Sequence, residues 1–205
     1  MGSERDMSEK GVSTPFTVTG TNTIIDMRRH IPMKTIEIPG SNRSDIHHII
    51  HPIPPFYDKD SEILILGSFP SVKSREQMFF YGHLQNRFWK VIAQVFADEV
   101  PVTVPDKKAF LVRHHIALWD VIASCDIEGS SDASITNVVA NDLSVILDVA
   151  DIHGIFVNGR TAEKYYKLYS EDITCRKAVC LPSTSPANAA WSMEKLVGAW
   201  AAVTR

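Results

Sequence analysis

Ile63-Leu64-Ile65-Leu66-Gly67 is a short, unbroken run of β-prone apolar residues closed by glycine. A strand without polar alternation must be covered on both faces, so this run predicts a buried strand of a parallel sheet. The pattern that follows alternates between strands and helices. Asn86 to Phe96 places Phe88, Trp89, Ile92, Val95 and Phe96 at helical spacing, with Asn86 at the N-cap. Ile116 to Val121 reads as a second strand, and Asn141 caps a helix holding Leu143, Ile146 and Leu147. Ile155 to Val157 reads as a third strand, Thr161 to Tyr169 as the next helix and Ala178 to Leu181 as a fourth strand. Trp191, Leu196, Val197 and Trp200 mark a terminal helix. This order predicts an α/β fold, a three-layer α/β/α sandwich around a central four-stranded parallel sheet.

The chain before this pattern differs from it. MGSERDMSEKGVSTPFTVTGTNT is rich in Ser, Thr and Gly and shows no apolar period, which predicts a flexible extension over residues 1–50 and a domain over residues 51–205. His47, His48 and His51 stand in HHIIHPIPP; the spacing of His47 and His51 would suit a metal pair on a helix, but Pro52 ends such a helix at once. The segment therefore reads as a loop or short turn leading into the domain, with no metal site.

Of 205 residues, 44% are hydrophobic and 22% charged, enough for a buried core and incompatible with wholesale disorder. No apolar run approaches the roughly 20 residues that span a bilayer. With 21 Lys and Arg against 24 Asp and Glu, the net charge is −3, so nucleic acid could be held only by a local basic face. Lys73, Arg75, Arg87, Lys90, Arg113 and Arg160 are the candidates for that face. Cys125, Cys175 and Cys180 form no CxxC pair; they read as small buried residues of a cytoplasmic protein.

Open parallel sheets bind ligands beyond the carboxyl ends of their strands. Strand one ends in Gly67-Ser68-Phe69-Pro70-Ser71, strand three in Asn158-Gly159-Arg160, and strand four in Leu181-Pro182-Ser183-Thr184-Ser185-Pro186-Ala187-Asn188-Ala189. Together with Phe80 to Trp89, YGHLQNRFW preceded by Phe, these blocks resemble the uracil-DNA glycosylase superfamily and, within it, the hypoxanthine-DNA glycosylase group. LPSTSPANA is similar to the group's second active-site loop almost throughout, GSFPS lies where the first loop belongs, and NRFW is shared with mismatch-specific uracil glycosylases. The resemblance runs from about His51 to the C-terminus.

It implies a monofunctional DNA glycosylase that hydrolyses the N-glycosidic bond of deaminated bases in base excision repair, hypoxanthine first and uracil second. It implies no cofactor, and as partner double- or single-stranded DNA bound by a monomer. The familiar uracil-specific positions are filled by Phe69 and Leu181, neither of which can activate water or hold a departing base. The group's catalytic amide matches Asn86, as a water-orienting group; the other role of that residue is the helix N-cap, and the two can coexist. Gly67, Ser68, Phe69, Asn158 and His83 are the expected base-binding residues, Phe69 by stacking and Asn158 by pairing its carboxamide with the base edge. Pro70, Ser71, Leu181, Ser183, Thr184, Ser185 and Pro186 are the expected DNA contacts, the stretch from Ser183 to Pro186 through small hydroxyls and free backbone N–H groups that allow close approach to phosphates. No lysine or N-terminal proline is placed to form a Schiff base. Two other readings stay open, a G:U/T mismatch-specific uracil-DNA glycosylase and a non-catalytic module for damaged DNA.

Overall fold

The computed structural model describes residues 46–204. Four parallel strands, β2 (Ile63–Gly67), β3 (Ile116–Asp120), β6 (Gly154–Asn158) and β7 (Val179–Leu181), pair in the order β3-β2-β6-β7. Leu64, Ile65 and Leu66 are completely buried, because helices cover the sheet on both faces and the first strand lies inside it. The expected α/β/α sandwich is the fold observed.

The connections are α1 (Val72–Gln77), α2 (Phe88–Val95) and α3 (Val104–Arg113) between β2 and β3, and the single turn α4 (Ser144–Leu147) before β6. α5 (Arg160–Tyr169) and α6 (Glu171–Thr174) precede β7, and α7 (Met193–Trp200) follows it. α2 starts one residue later than expected: Arg87 occupies the cap position, while Asn86 Oδ1 accepts from Phe88 N at 3.0 Å. Asn141 does not cap α4; its Nδ2 donates to the Asp120 carbonyl, and Asp142 receives Ser144 N. α3, unmarked by apolar periodicity, is set by a capping box between Thr103 and Asp106.

A second sheet was not expected. β1 (Ile46–Ile50), β4 (Ile122–Glu128) and β5 (Thr136–Ala140) form an antiparallel sheet in the order β1-β4-β5. All five residues of β1 pair with β4, from Ile46 opposite Glu128 to Ile50 opposite Ser124. Residues 46–50 of the expected extension are thus a strand of this sheet, and residues 1–45 lie outside the described residues. β1 has five residues, and extended backbone advances about 3.3 Å per residue, which carries His47 and His51 apart rather than onto one helix face. Of the cysteines only Cys125 is buried, its thiol pushed up to about 11 chiefly by that burial; Cys180 is half-buried and Cys175 exposed at a left-handed turn.

Register fixes the business end of the molecule. Gly67 pairs with Asp120, Leu66 with Val157 and Asn158 with Leu181. Asp120, Gly67, Asn158 and Leu181 therefore stand in a row along the carboxyl edge of the sheet. The chain leaves β2 toward β3 on one side and returns to β6 on the other, so the row straddles the point where strand order reverses, the usual crevice of open α/β sheets.

Candidate active site

A groove of about 1110 Å³ opens over this row. It is lined by Gly67 to Ser71, Tyr81, Asn86, Asp120, Asp132, Asn158 and the second loop from Leu181. Such a volume exceeds what one base requires and suits a nucleotide with its flanking backbone.

Both loops are braced by arginines. Arg75 Nη1 donates to the Pro70 carbonyl at 2.7 Å, its guanidinium lies over the Phe69 ring at 5.9 Å, and His51 meets the same ring edge-on at 5.7 Å. Phe69 is consequently only 8% exposed, a wall of the groove rather than a free stacking platform. Arg87 holds the second loop: Nη2 donates to the carbonyls of Ser185 (2.8 Å) and Asn188 (2.9 Å), Nη1 to that of Trp191, and the backbone N to that of Thr184 (3.1 Å). Trp200 Nε1 adds a bond to the Pro182 carbonyl at 3.0 Å. Gly159 has φ +97 and a Cβ there would lie 2.9 Å from Ser183 Cβ, so both backbone and space require glycine where β6 meets this loop.

The basic face expected around the groove is largely spent on such tasks. Arg75 and Arg87 hold loops, Lys73 pairs with Glu76 and Arg160 with Glu163, and Arg113 pairs with Asp98 away from the groove. Lys90 is exposed on α2.

Thr184 organises the centre. Its side chain is fully buried; Oγ1 donates to Asn86 Oδ1 at 2.9 Å and accepts from Asn158 Nδ2 at 2.9 Å, while its backbone N donates to Asn158 Oδ1 at 3.0 Å. Asn86 Oδ1 thus receives two donors, Thr184 Oγ1 and Phe88 N, which occupy both lone pairs and fix the orientation of the amide. Its Nδ2 is the end left to the groove. The hydroxyl and backbone N–H of Thr184, expected to meet DNA, are thus engaged inside the protein, and Asn158, expected to read the base, has each end of its amide bonded to Thr184.

Beside this network, the hydroxyl of Tyr81 is buried without a hydrogen-bond partner, its ring stacked on Phe88 at 3.8 Å. Burial first, then the neighbouring Asp120 carboxylate, push that hydroxyl well above the ordinary tyrosine range, against a smaller pull from Asn158. Asp120, 4% exposed, takes the Nε2–H of His51 on Oδ2 at 2.8 Å. Ser68 Oγ donates to Asp132, whose carboxyl is raised chiefly by desolvation.

Of the expected residues, Gly67, Ser68, Phe69, Pro70, Ser71, Asn86, Asn158, Leu181, Ser183 and Ser185 line the groove. Leu181 does so as a buried apolar wall. Pro186 is exposed outside the lining, and His83 also lies off it, its Nδ1 accepting from Gln85 N. The residues missed are His51, Tyr81, Asp120 and Asp132. Asp120 ends a strand that the sequence had marked, and the rule about strand carboxyl ends applies to it as much as to Gly67.

Residues 54–204 match the Uracil DNA glycosylase superfamily, and the chain belongs to that family. It is 34% identical to a hypoxanthine DNA glycosylase of Methanosarcina acetivorans over 154 residues, which are 74% of this chain and 96% of that protein. Over 114 residues it is 32% identical to a hypoxanthine DNA glycosylase of Methanosarcina barkeri, covering 55% of this chain and 72% of the relative. A solution NMR structure of a candidate uracil DNA glycosylase from M. acetivorans superposes with a TM-score of 0.64 at 29% identity, over 77% of this chain and all of that one.

Proposed function

We propose that this chain is a DNA glycosylase for deaminated bases that releases hypoxanthine from deoxyinosine ahead of uracil, and that Asn86 is its catalytic amide. The relatives named as hypoxanthine DNA glycosylases support the activity; the observation that carries the residue is the double engagement of Asn86 Oδ1. The target nucleotide must leave the stack to enter the groove. Breaking its C1′–N9 bond sends the electron pair into the purine; water supplies the hydroxyl that completes C1′, and its other proton ends on the released base. With its oxygen filled, Asn86 cannot accept a proton from that water. Its Nδ2 can donate to the departing base as negative charge develops there, a stabilisation that matters most in a dry, preorganised site.

No lysine is among the described groove-lining residues, which supports hydrolysis without a covalent enzyme–sugar intermediate. The second loop, with Ser183, Ser185 and Pro186, supplies backbone and hydroxyl groups for flanking phosphates. The reading includes a monomer working in the cytoplasm on DNA without a cofactor.

Single-turnover release from deoxyinosine and deoxyuridine oligonucleotides, read by cleavage at the abasic product, tests the substrate order; faster uracil release would reverse it. Asn86→Asp separates the possible roles of the side chain. Phe88 N and Thr184 can still donate to a carboxylate, but the amide donor is gone and a charge faces the leaving base. The variant should fold and lose about 10²- to 10⁴-fold in rate. If it kept or gained activity, Asn86 would instead be an acceptor for the attacking water.

A further inference from the structure

The groove contains two polar atoms that the network around Thr184 does not use. The Tyr81 hydroxyl is buried and unpartnered, and Asp120 Oδ1 has no hydrogen-bond partner among the described residues, its sister oxygen being taken by His51. They flank a single point: a Cβ placed on Gly67 would lie 2.1 Å from Asp120 Oδ1 and 3.5 Å from the Tyr81 oxygen. Glycine at this position keeps that point open.

We propose that Asp120 and Tyr81 are the specificity-determining pair, an acceptor beside a donor that reads the lactam edge of a deaminated base. Asp120 Oδ1 accepts the N1–H of hypoxanthine or the N3–H of uracil, and the Tyr81 hydroxyl donates to the adjacent O6 or O4. Adenine turns an unprotonated N1 toward the carboxylate, lone pair against lone pair, and is rejected because a buried acceptor is left unpaired. Guanine shares the lactam edge, so the pair sorts lactams from adenine and leaves guanine to be excluded by its 2-amino group and its duplex pairing.

His51 acts as the positioning residue. Ile53 N donates to its Nδ1 at 3.2 Å, which puts the ring proton on Nε2, where it is donated to Asp120 Oδ2. One carboxylate oxygen is pinned and the other faces the groove. Phe69 stands edge-on to the same imidazole, and the immediately following Pro52 restricts the His51 backbone. Tyr81 is delivered by a left-handed backbone (φ +53), an unfavourable conformation for an aromatic residue and the kind of strain that gathers at functional sites.

This inference rests on the glycosylase reading, and the test separates the two. Affinities are measured for duplexes carrying 2′-fluoroarabino-inosine or 2′-fluoroarabino-adenosine, which resist cleavage, and for a tetrahydrofuran abasic duplex. Wild type should prefer inosine to adenosine. In Asp120→Asn the new carbonyl takes the His51 N–H and turns Nδ2 toward the base, offering a donor to adenine N1; the preference should shrink at least about tenfold. Tyr81→Phe should shrink it comparably, and in both variants affinity for the abasic duplex and the melting temperature should stay near wild type. A preference indifferent to both substitutions, in an enzyme that releases hypoxanthine, overturns the inference alone. So does a loss that appears equally on the abasic duplex, which would mark a purely structural role. A wild-type chain that releases no hypoxanthine but shows the Asp120-dependent preference overturns the glycosylase reading and keeps the pair.

Discussion

Thr184 Oγ1 donates to Asn86 Oδ1 across 98 positions of sequence, at 2.9 Å and with no solvent contact on the threonine side. The bond joins the second active-site loop to the turn before α2, and it decides which end of the Asn86 amide the groove receives. A hydroxyl so placed is a structural part with a chemical consequence.

Thr184→Val keeps the shape and removes the hydroxyl. Asn86 Oδ1 then loses one donor and Asn158 Nδ2 its acceptor, both half-buried, which should cost about 1–3 kcal/mol of stability. With the amide free to turn over, hypoxanthine release should fall by about tenfold or more, and Thr184→Ser should restore it. Thermal melts and single-turnover rates on the pair check this. Because Thr184 takes both ends of the Asn158 amide, Asn158→Ala combined with Thr184→Val should be no worse than the more damaging single change, the non-additivity expected of a shared unit. Additive losses would return Asn158 to a direct role at the base.

Arg87 should be intolerant of lysine. Its guanidinium spreads over four carbonyls, those of Thr184, Ser185, Asn188 and Trp191, a task for a planar fork that a single ammonium cannot reproduce. Arg87→Lys should weaken binding of an inosine-containing duplex several-fold and speed amide hydrogen exchange across Ser183 to Asn188, while exchange in β2 stays at wild-type rates. Unchanged exchange in the loop would show that Trp200 and Asn188 hold it unaided.

Acid should expose the ion pairs of α5. Lys167 first, then Arg160 and the Cys180 thiol, hold the Glu163 carboxyl down to about 2 from an ordinary 4.5. A folded-state value below the unfolded one gives stability that is complete above pH 4.5 and is lost as pH falls through the folded value. Since Lys167 and Arg160 are mostly exposed, solvent screening keeps the effect small. Glu163→Gln should lower the melting temperature by roughly 3 °C at pH 7 and by much less near pH 2. A difference that grew as pH fell would have the wrong sign.

The parallel sheet was legible because each of its strands is a short apolar run, and α2, α5 and α7 between and after them carry a 3.6-residue period. Ile63 to Leu66 is the clearest case: burial on both faces leaves no polar position to blur it. The antiparallel sheet was not legible. Its middle strand, Ile122 to Glu128, includes Ala123, Ser124 and Asp126, and its edge strand carries two histidines, so neither reads as β until they pair. In the groove, motif positions located the two loops and Asn86. They could not show that Asn158 is consumed by Thr184, or that His51, from a stretch with the look of a linker, reaches Asp120 69 positions away. Those relationships are set by tertiary contact alone.

Truncation distinguishes the strand from the residues before it. A chain beginning at Ile46 keeps β1, whereas one beginning at His51 leaves the outer edge of β4 unpaired and removes the anchor that precedes the His51–Asp120 contact. Whatever lies before Ile46 is missing from both, so the comparison reads β1 itself. Five ladder residues and the half-buried Ile49 are lost, and the bare β4 edge becomes a template for pairing with another chain. The shorter chain should melt several degrees lower, show concentration-dependent aggregation and release hypoxanthine more slowly through a loosened Asp120. Asp120→Asn placed in the shorter chain should then have less effect on base preference than in the longer one. If both chains melted together, remained monomeric and responded equally to Asp120→Asn, β1 would be dispensable and His51 would hold its place without it.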